Sequence, residues 1–402
     1  MILHILNYSI LFLSILIIST RIIIILISSS LFLKKSKNAI TCIDSISVSV
    51  IVPIHCKEKS ITENLQLLLE VNRSLEKEVI VVINGREYSK NISKELTALS
   101  NKNNNLKVFY IEKTNKACAL DKGIREAHGD IVVLTDIDTR WEEGKIKKMI
   151  SHFKDPSIEG VAGQVIPIPT KRLLNNCQII EHLGFYVDRL ASSLWKGATV
   201  PGPVGAFRKR VFNNAAFFDL ETEGEDFYNS LNILEEGYGI ICEPEALLFT
   251  QGIPDSIKNL VKQHNRWYMG IGEVFRRHFK KIFFKKISFK NKLKTFWHLF
   301  NLQLFYYLIA ISELWFLTYS IFSRDFTSFL IWKCALFLNL MFYFTYSKSL
   351  LKKKIPSLSV PSILFFVTVY FYFLIILRAF SQIANLFGYK FQWSRDYVFT
   401  KS

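Results

Sequence analysis

Long apolar stretches at both ends of the chain enclose a segment of mixed character. Residues 1–33 carry one charged side chain, Arg21. Further apolar stretches lie at about 297–322, 327–346 and 360–377. Each has close to the roughly 20 residues that cross a hydrocarbon core, and the first lacks the small-residue cleavage site of a signal peptide. We predict a retained N-terminal membrane anchor in 1–40 and three transmembrane helices in 296–390. The first crossing ends either near residue 33 or at Arg21, with an interfacial helix behind it.

The middle of the chain, 45–250, alternates short apolar runs with helical spacing. Four runs predict buried strands: "VSVIVPIH", expected to end at Pro53, "EVIVVING", "LKVFYIE" and Ile131–Thr135. Residues 60–72 and 116–127 have the apolar spacing of helices. This alternation predicts an α/β domain with a parallel sheet. Ligands of such sheets gather at the carboxyl ends of the strands.

The positions of the basic residues predict how the chain is oriented in the membrane. The chain has 51 Lys and Arg against 34 Asp and Glu, a net charge of +17. Basic clusters follow the first apolar stretch, precede the second (276–294) and separate the third from the fourth (348–354). The positive-inside rule places all three on the cytoplasmic face. We therefore predict a multi-pass protein of the cell (inner) membrane with a cytoplasmic catalytic domain. The charge favours anionic membrane lipids as partners over nucleic acid. The six cysteines lack metal-ligand spacing, which fits a reducing compartment.

Two carboxylates follow the fourth predicted strand, in "DIVVLTDIDTRW". In an extended segment Asp136 and Asp138 share a face. Carboxylate oxygens suit Mg²⁺ or Mn²⁺, which can share its ligands with phosphate oxygens. Acids at such a position also cap helices and solvate turns, so the pair alone is a weak indication.

Three later stretches carry more candidate chemistry. Gly202 and Gly205 flank Pro203 in "PGPVGAFRKRVF", which leaves room for a ligand or forms an ordinary turn. Glu225 and Asp226 precede a helical pattern, where acids either serve as a base or favour the helix dipole. The stretch "VKQHNRWYMG" lies in an amphipathic segment predicted over 251–295; its members Gln263, Arg266 and Trp267 suit phosphate and sugar contacts or an interfacial helix.

Together, in this order and spacing, these motifs resemble the family 2 glycosyltransferases of GT-A fold. The similarity is to the membrane-embedded branch of hyaluronan, cellulose, chitin and poly-N-acetylglucosamine synthases and ceramide glucosyltransferase. It rests on "VSVIVPIHCKE", "NKACALDKG", "DIDTRW", "GPVGAFRK", "GED" and "QHNRW" and covers about 47–270. The resemblance implies a Rossmann-like GT-A domain over 45–250, flanked by transmembrane helices.

The resemblance also implies residue roles. Asp138 and Asp136 would hold Mg²⁺ or Mn²⁺ on the nucleotide diphosphate, with Asp136 also contacting the nucleotide sugar. Lys116 would help to hold the donor. In "GED", Asp226, beside Glu225, would deprotonate the acceptor hydroxyl for an inverting displacement.

The Gln-X-X-Arg-Trp motif would close the site. Its Gln263, Arg266 and Trp267 would lie over the diphosphate and the acceptor's terminal sugar. Gly202 and Gly205 would belong to the acceptor loop.

Two departures from the family pattern affect donor binding. Asn84 stands where the family has the first Asp of Asp-Asp-Gly; it keeps an acceptor oxygen for a uracil N–H but loses the charge. His264 stands where the family often has Arg, which predicts a weaker or pH-dependent diphosphate contact.

The predicted partners are a nucleotide-sugar donor, a UDP-sugar, and a glycan or lipid acceptor. We favour a processive enzyme that forms a polysaccharide, as poly-N-acetylglucosamine and hyaluronan synthases do. Single transfer to a membrane lipid is the alternative within the class, and a catalytically silent membrane partner of a glycan assembly complex is the alternative outside it.

Two features bear on the membrane part. Glu313 and Lys333 lie at similar depth in successive spans, which predicts an ion pair that lines a conduit or braces the spans. Trp393, Arg395 and Tyr397, in the tail 391–402, resemble the tail of ceramide-glucosyltransferase-like enzymes. That tail is expected beside the catalytic domain, whereas four spans place it on the opposite side.

Overall fold

A computed structural model describes most of the chain. It covers residues 2–36, 46–55, 61–71, 77–85, 90–113, 115–214, 222–251, 253–284, 286–350, 359–387, 389–391 and 399–401. Residues 393, 395 and 397 of the tail motif lie outside these ranges.

An eight-stranded sheet forms the centre of the described chain. Its strands are β1 Val48–His55, β2 Lys77–Asn84, β3 Leu106–Ile111, β4 Ile131–Thr135, β5 Thr139–Arg140, β6 Ile158–Pro167, β7 Val204–Arg208 and β8 Gly239–Thr250, in the order β3-β2-β1-β4-β7-β6-β8-β5. The four predicted strands are present and parallel. The predicted parallel pairing is confirmed for these four strands, but the whole sheet is mixed, because β7 enters antiparallel between β4 and β6. The short β5 also pairs antiparallel with β8. The fold is α/β with a mixed sheet.

The first strand runs further than its sequence predicts. Pro53 does not end β1, which continues to His55 and pairs with β2 along its whole length. Pairing with β4 stops at Ile51. The missing N–H of Pro53 therefore falls where β1 has a single neighbour, and it costs the sheet little.

Helices complete what we call the sheet unit; most of them pack on the sheet, and the last packs on the helix before it. They are α2 Ile61–Glu70, α3 Lys90–Lys102, α4 Lys116–Glu126, α5 Lys145–Ser151, α6 Leu173–Ser193, α7 Val211–Asn214, α8 Glu225–Glu235 and α9 Ile257–Phe284. Helix α6 lies along the sheet, where His182 Nδ1 is 2.9 Å from the carbonyl oxygen of Val165 and the Tyr186 hydroxyl donates to that of Pro244 at 2.7 Å.

Within the part of the chain that the structure describes, four helices are long and apolar enough to cross a membrane, which indicates a multi-pass membrane protein. The first is α1 Ile2–Ser36. The second joins α10 Phe289–Leu299 to α11 Phe305–Ser323 through a π-helical turn, Phe300–Leu304; the third is α12 Thr327–Leu350. The fourth, the C-terminal helix, comprises α13 Val360–Phe365, a π-helical turn Phe366–Tyr370 and α14 Phe371–Leu386. A two-stranded ribbon follows, β9 Tyr389–Phe391 with β10 Phe399–Lys401.

Polar side chains join these apolar helices. Arg21 of α1 is buried; its Nε donates to Asn301 at 2.5 Å and its guanidinium lies 4.1 Å from the Phe305 ring centroid. The predicted ion pair is present, with Lys333 Nζ 2.5 Å from a Glu313 oxygen. Tyr372 of the C-terminal helix also donates to Glu313, at 3.3 Å. Neither member of the pair lines the large cavity described below, so the bracing interpretation fits better than the conduit.

Candidate active site

The site begins where β4 ends. Asp136–Asp138 form a turn closed by a hydrogen bond from Thr139 N to the Asp136 carbonyl oxygen at 3.2 Å. The prediction of an extended segment here is therefore wrong: the chain turns, and the Ile137 side chain at the turn is buried, with 7% exposed. Both carboxylates nevertheless line one cavity.

Lys116 reaches this turn from the first residue of α4. Asn115 caps the helix by accepting from Cys118 N at 3.0 Å, which fixes the start of the helix beside β4. The Lys116 ammonium lies 2.6 Å from Asp136 Oδ1. Burial opposes the charge, but Asp136, Glu225 and Asp226 together raise the pKa of Lys116 above its ordinary value. Lys116 is therefore a permanent cation in this site.

Asp226 is held by two backbone donors. It lies in the first turn of α8, where Oδ2 accepts from Gly202 N at 2.8 Å and Oδ1 from Phe227 N at 2.7 Å. A Cβ at Gly202 would lie 3.4 Å from Lys116 Nζ and 3.5 Å from Asp226 Oδ2. The glycine thus lets the loop pass between the cation and the carboxylate. Asp226 keeps lone pairs directed at the cavity that it lines.

Glu225 differs from its neighbour. Burial, together with the Asp226 carboxylate, raises the pKa of Glu225 to about 7, although Lys116 and Arg266 act in the opposite direction. A carboxyl that titrates near neutrality in a cavity is typical of a functional site.

The Gln-X-X-Arg-Trp motif reaches the same cavity through a close contact between helices. A Cβ at Gly270 of α9 would lie 2.7 Å from Gly224 N, at the start of α8. Only glycine permits this approach, which brings α9 against the turn that carries Asp226. Gln263, Arg266 and Trp267 all line the cavity. The buried Nε of Arg266 has no hydrogen-bond partner among the described residues, so a donor is available for an anion.

These residues line a cavity of about 340 Å³ with two chemically different ends. The sheet end is lined by Lys116, Asp136, Asp138, Glu225 and Asp226. The helix end is lined by His182, Asp188, Arg189, Asn301 and Arg378, from α6, the π-helical turn after α10 and the C-terminal helix.

Two predicted site residues lie outside the cavity lining. Gly205 is in β7, where a Cβ would lie 2.3 Å from Val200 Cγ1. Its role is packing within the sheet, and the structure gives it no place at the acceptor. Asn84 ends β2, where its Nδ2 donates to the Ile54 carbonyl oxygen at 3.0 Å. Its buried Oδ1 has no partner among the described residues.

His264 does not face the cavity. It is 1% exposed, and its Nε2 lies 3.0 Å from a Glu181 oxygen on α6. Burial lowers the pKa of His264, but the nearby Glu181 carboxylate has the larger effect and raises that pKa above its ordinary value. Likewise, burial raises the pKa of Glu181, but the nearby His264 has the larger effect and lowers that pKa. The predicted diphosphate contact is therefore wrong: the residue forms an ion pair that ties α9 to α6.

Sequence reasoning missed the helix end. Asp188 contacts Arg21 at 3.3 Å and accepts from the Tyr343 hydroxyl at 3.1 Å. Arg378 lies over the Tyr306 ring, 3.9 Å from its centroid. A charged residue inside an apolar helix marks a polar path by default, so Arg378 was detectable from sequence. No comparable signal marked Asp188, which lies in an ordinary amphipathic helix.

Comparison with known proteins agrees with this geometry. Residues 49–215 match the model of the family described as "Glycosyl transferase family 2". This segment, which contains Lys116, Asp136, Asp138 and Gly202, is similar to family 2 glycosyltransferases. Poly-beta-1,6-N-acetyl-D-glucosamine synthase of Staphylococcus aureus (strain COL) is 28% identical over 235 residues, 58% of this chain and 56% of that protein. The enzyme of the same name from Staphylococcus epidermidis is 28% identical over 236 residues, again 58% and 56%. The chain thus matches little more than half the length of these curated relatives.

The fold also has a solved counterpart. The mannosyltransferase PcManGT from Pyrobaculum calidifontis, in complex with GDP-Man and Mn²⁺, aligns with a TM-score of 0.59 and 17% identity. The alignment covers 92% of this chain and 99% of that one. This likeness shows that the sheet unit has the GT-A fold.

Proposed function

We propose that the chain is an inverting glycosyltransferase that moves a sugar from a UDP-sugar to a growing polysaccharide at the cytoplasmic face of the cell membrane. The single observation that carries this proposal is the cavity itself. It holds a backbone-anchored carboxylate, a fixed cation and further carboxylates at one end, and it continues to membrane helices at the other. The similarity to poly-N-acetylglucosamine synthases favours a polymer as the product.

The sheet end suits a nucleotide sugar. Lys116, held by Asp136, would contact the diphosphate, and the unpartnered Nε of Arg266 would approach it from α9. These side chains would offer their N–H groups to the diphosphate oxygens of the nucleotide sugar.

The carboxylate oxygens at the sheet end also fit a hard divalent cation. Carboxylates outnumber cations at the sheet end, and their oxygens suit Mg²⁺ or Mn²⁺. Among the described residues, no three His, Cys, Asp or Glu side chains are placed to hold one metal ion together. Phosphate oxygens of the nucleotide sugar would therefore complete the coordination. Asp138 would hold the ion, with Asp136 shared with Lys116. When bound, the ion would neutralise charge on the leaving diphosphate.

Asp226 would act as the base. The two backbone N–H groups orient its carboxylate. As the acceptor oxygen attacks the anomeric carbon, the bond from that carbon to the diphosphate oxygen breaks, and Asp226 takes the acceptor's proton. One displacement inverts the anomeric configuration. A double displacement would need a second carboxylate as nucleophile.

A lipid acceptor is the second candidate. Leu302 and Arg378, from helices that pack in the membrane part, line the helix end. A membrane lipid could therefore present its head group there.

The test is a radiolabel screen on the purified full chain in lipid nanodiscs with Mn²⁺ or Mg²⁺. The donors are UDP-N-acetylglucosamine, UDP-glucose, UDP-glucuronate and GDP-mannose. Asp226→Asn is the inactive variant, and Glu236→Gln, at the other end of α8, is its matched control. We expect label in a long polymer from wild type and the control. Label confined to a lipid-sized product would favour the second candidate. No turnover and no nucleotide binding would favour a silent assembly partner.

The metal has its own test. Asp138→Asn should raise the Mn²⁺ concentration for half-maximal donor binding by at least the roughly 10- to 100-fold that the loss of an outer-shell partner of a metal ligand causes. Isothermal titration with the donor at several Mn²⁺ concentrations measures this. An unchanged Mn²⁺ dependence would remove Asp138 from the metal site.

A further inference from the structure

The C-terminal helix contacts the sheet unit at its beginning. Ser362 accepts from Asn176 Nδ2 at 3.2 Å. Two turns later the Tyr370 hydroxyl donates to Glu181 at 3.3 Å. Both partners belong to α6, which lies along the sheet.

The same helix contacts the sheet unit again near its end. Ser381 donates to Asn265 Oδ1 at 2.6 Å, and Asn385 donates to the Met269 carbonyl oxygen at 3.1 Å. Gln382 lies so close to Gly272 that a Cβ there would be 2.2 Å from its Oε1. These partners belong to α9, which is tied to α8 by a hydrogen bond between His278 Nδ1 and Glu235.

The distance between these two sets of contacts is large. From Ser362 to Asn385 a helix rises about 35 Å, which exceeds the roughly 30 Å of a hydrocarbon core. A helix that crossed the bilayer would put its two ends on opposite sides. Here both ends lie on the polar sheet unit, which occupies one side.

The other three candidate spans behave differently. Helix α12 contacts the sheet unit near its end, where the Tyr343 hydroxyl donates to the Gly184 carbonyl oxygen at 3.0 Å. Away from the sheet unit, these helices bond to one another: Trp315 donates to Asn7 at 3.1 Å, and Tyr319 is 2.5 Å from His4.

The outward face of the C-terminal helix is apolar along its length. Phe380 is 72% exposed, and it shares this face with other large exposed side chains: Val360, Leu364, Val369, Ile376, Ile383 and Phe387. Exposed basic residues of α9, Arg276 and Lys280, flank the helix. Such a face can contact acyl chains while the neighbouring basic side chains contact anionic head groups.

We propose that the C-terminal helix lies in the plane of the membrane, with this apolar face among the acyl chains of the leaflet nearest the sheet unit. The chain then crosses the bilayer three times, through α1, α10–α11 and α12. Its C-terminus remains on the side of the sheet unit. The sequence after the helix, 388–402, has three basic residues and one acid, which agrees with the positive-inside rule in this arrangement.

Depth measurement tests the proposal directly. Single nitroxide labels are placed at Leu364, Val369, Ile376 and Phe380, each through a cysteine substitution in the full chain, in nanodiscs. The unmodified protein, labelled in parallel, reports the native cysteines. Collision rates with oxygen and a water-soluble nickel complex give the depth. We expect four similar depths. A crossing helix would separate Leu364 from Phe380 by about 24 Å along the bilayer normal, and a depth that rises and then falls would overturn the proposal.

Sidedness gives the second test. A cysteine appended after Ser402 is compared with Lys34→Cys and Arg324→Cys in sealed vesicles, using a membrane-impermeant maleimide. We expect the C-terminal cysteine to react from the same side as Lys34→Cys and from the opposite side to Arg324→Cys. Reaction together with Arg324→Cys would mean four crossings and would overturn the proposal.

Discussion

The two ends of the cavity are built in opposite ways. At the sheet end, Lys116, Asp136 and Asp138 come from 23 consecutive residues, at the start of a helix and in the turn after the strand that follows it. At the helix end, Asp188, Asn301 and Arg378 come from positions far apart in the chain. The first arrangement follows from strand order alone. The second depends on how membrane helices pack against the sheet unit.

This difference has a physical cause. The carboxyl ends of neighbouring parallel strands meet at one edge, so polar residues placed there converge without further instruction. Helices in a bilayer have no comparable rule, because packing and individual hydrogen bonds decide their arrangement. Variants at the sheet end should therefore change the chemistry, and variants at the helix end should change stability and acceptor handling.

The largest effect is expected at the sheet end. Asp226→Asn removes the base but keeps the shape that Gly202 N and Phe227 N contact. Turnover should fall by about 10²- to 10⁴-fold, the usual contribution of a positioned base. Donor binding should change little. Label transfer and donor titration measure both quantities, and comparable losses in the two would indicate a structural role instead.

The next effect concerns the ion pair that ties α9 to α6. Glu181→Gln leaves His264 buried without its counterion, which costs about 3–5 kcal/mol in known cases. The thermal midpoint should fall, and Gln263, Arg266 and Trp267 should lose their fixed position. A double variant, Glu181→Gln with His264→Gln, should be less destabilised than the sum of the single variants.

The exposed Glu63→Gln provides the baseline for these thermal midpoints. Strict additivity of the two single effects would show that the pair makes no contribution of its own.

A smaller effect should separate acceptor from donor. Trp297→Ala removes an aromatic surface from the cavity wall; its edge-on contact with Trp195 has a centroid distance of 5.6 Å. Aromatic contacts contribute about 0.5–1.5 kcal/mol, so product length or acceptor affinity should fall about 2- to 10-fold with an unchanged donor KM. Trp195→Ala loses the same ring contact outside the cavity lining and is the matched control. Equal effects of both variants would indicate packing alone.

The smallest effect is a pH dependence at the sheet end. The pKa of Glu225 rises from 4.5 to about 7 in the fold. The fold therefore favours the protonated form of Glu225. Its contribution to the free energy of unfolding is fully present below pH 4.5 and is lost as the pH rises through 7. Glu225→Gln should match wild type near pH 5 and exceed its thermal midpoint by a few degrees at pH 8, an upper bound of about 3 kcal/mol.

The measurement is a thermal scan without donor or metal, with Glu236→Gln as control. A constant difference across this pH range would show that Glu225 does not titrate there.

The sequence by itself determined most of the sheet end. Apolar runs predicted β1 to β4. In β1, β2 and β4 the run is continuous because a strand buried on both faces is apolar throughout, whereas the edge strand β3 is only partly buried. The sequence motifs predicted a set of site residues that line one cavity in the structure: Lys116, Asp136, Asp138, Asp226 and the Gln-X-X-Arg-Trp residues. For Lys116, Asp136, Asp138 and Asp226 the local pattern was sufficient because each lies at or next to an element boundary; the Gln-X-X-Arg-Trp residues lie within α9 and were found by their motif.

Only the tertiary structure decided the rest. The antiparallel entry of β7, the inward turn at Ile137 and the pairing of His264 with Glu181 depend on residues distant in sequence. The C-terminal helix is the clearest case. Its composition equals that of a transmembrane helix, and only its contacts with α6 and α9 at both ends argue that it lies along the membrane. Hydropathy reports that a helix prefers lipid, but its direction is set by the partners of its polar side chains.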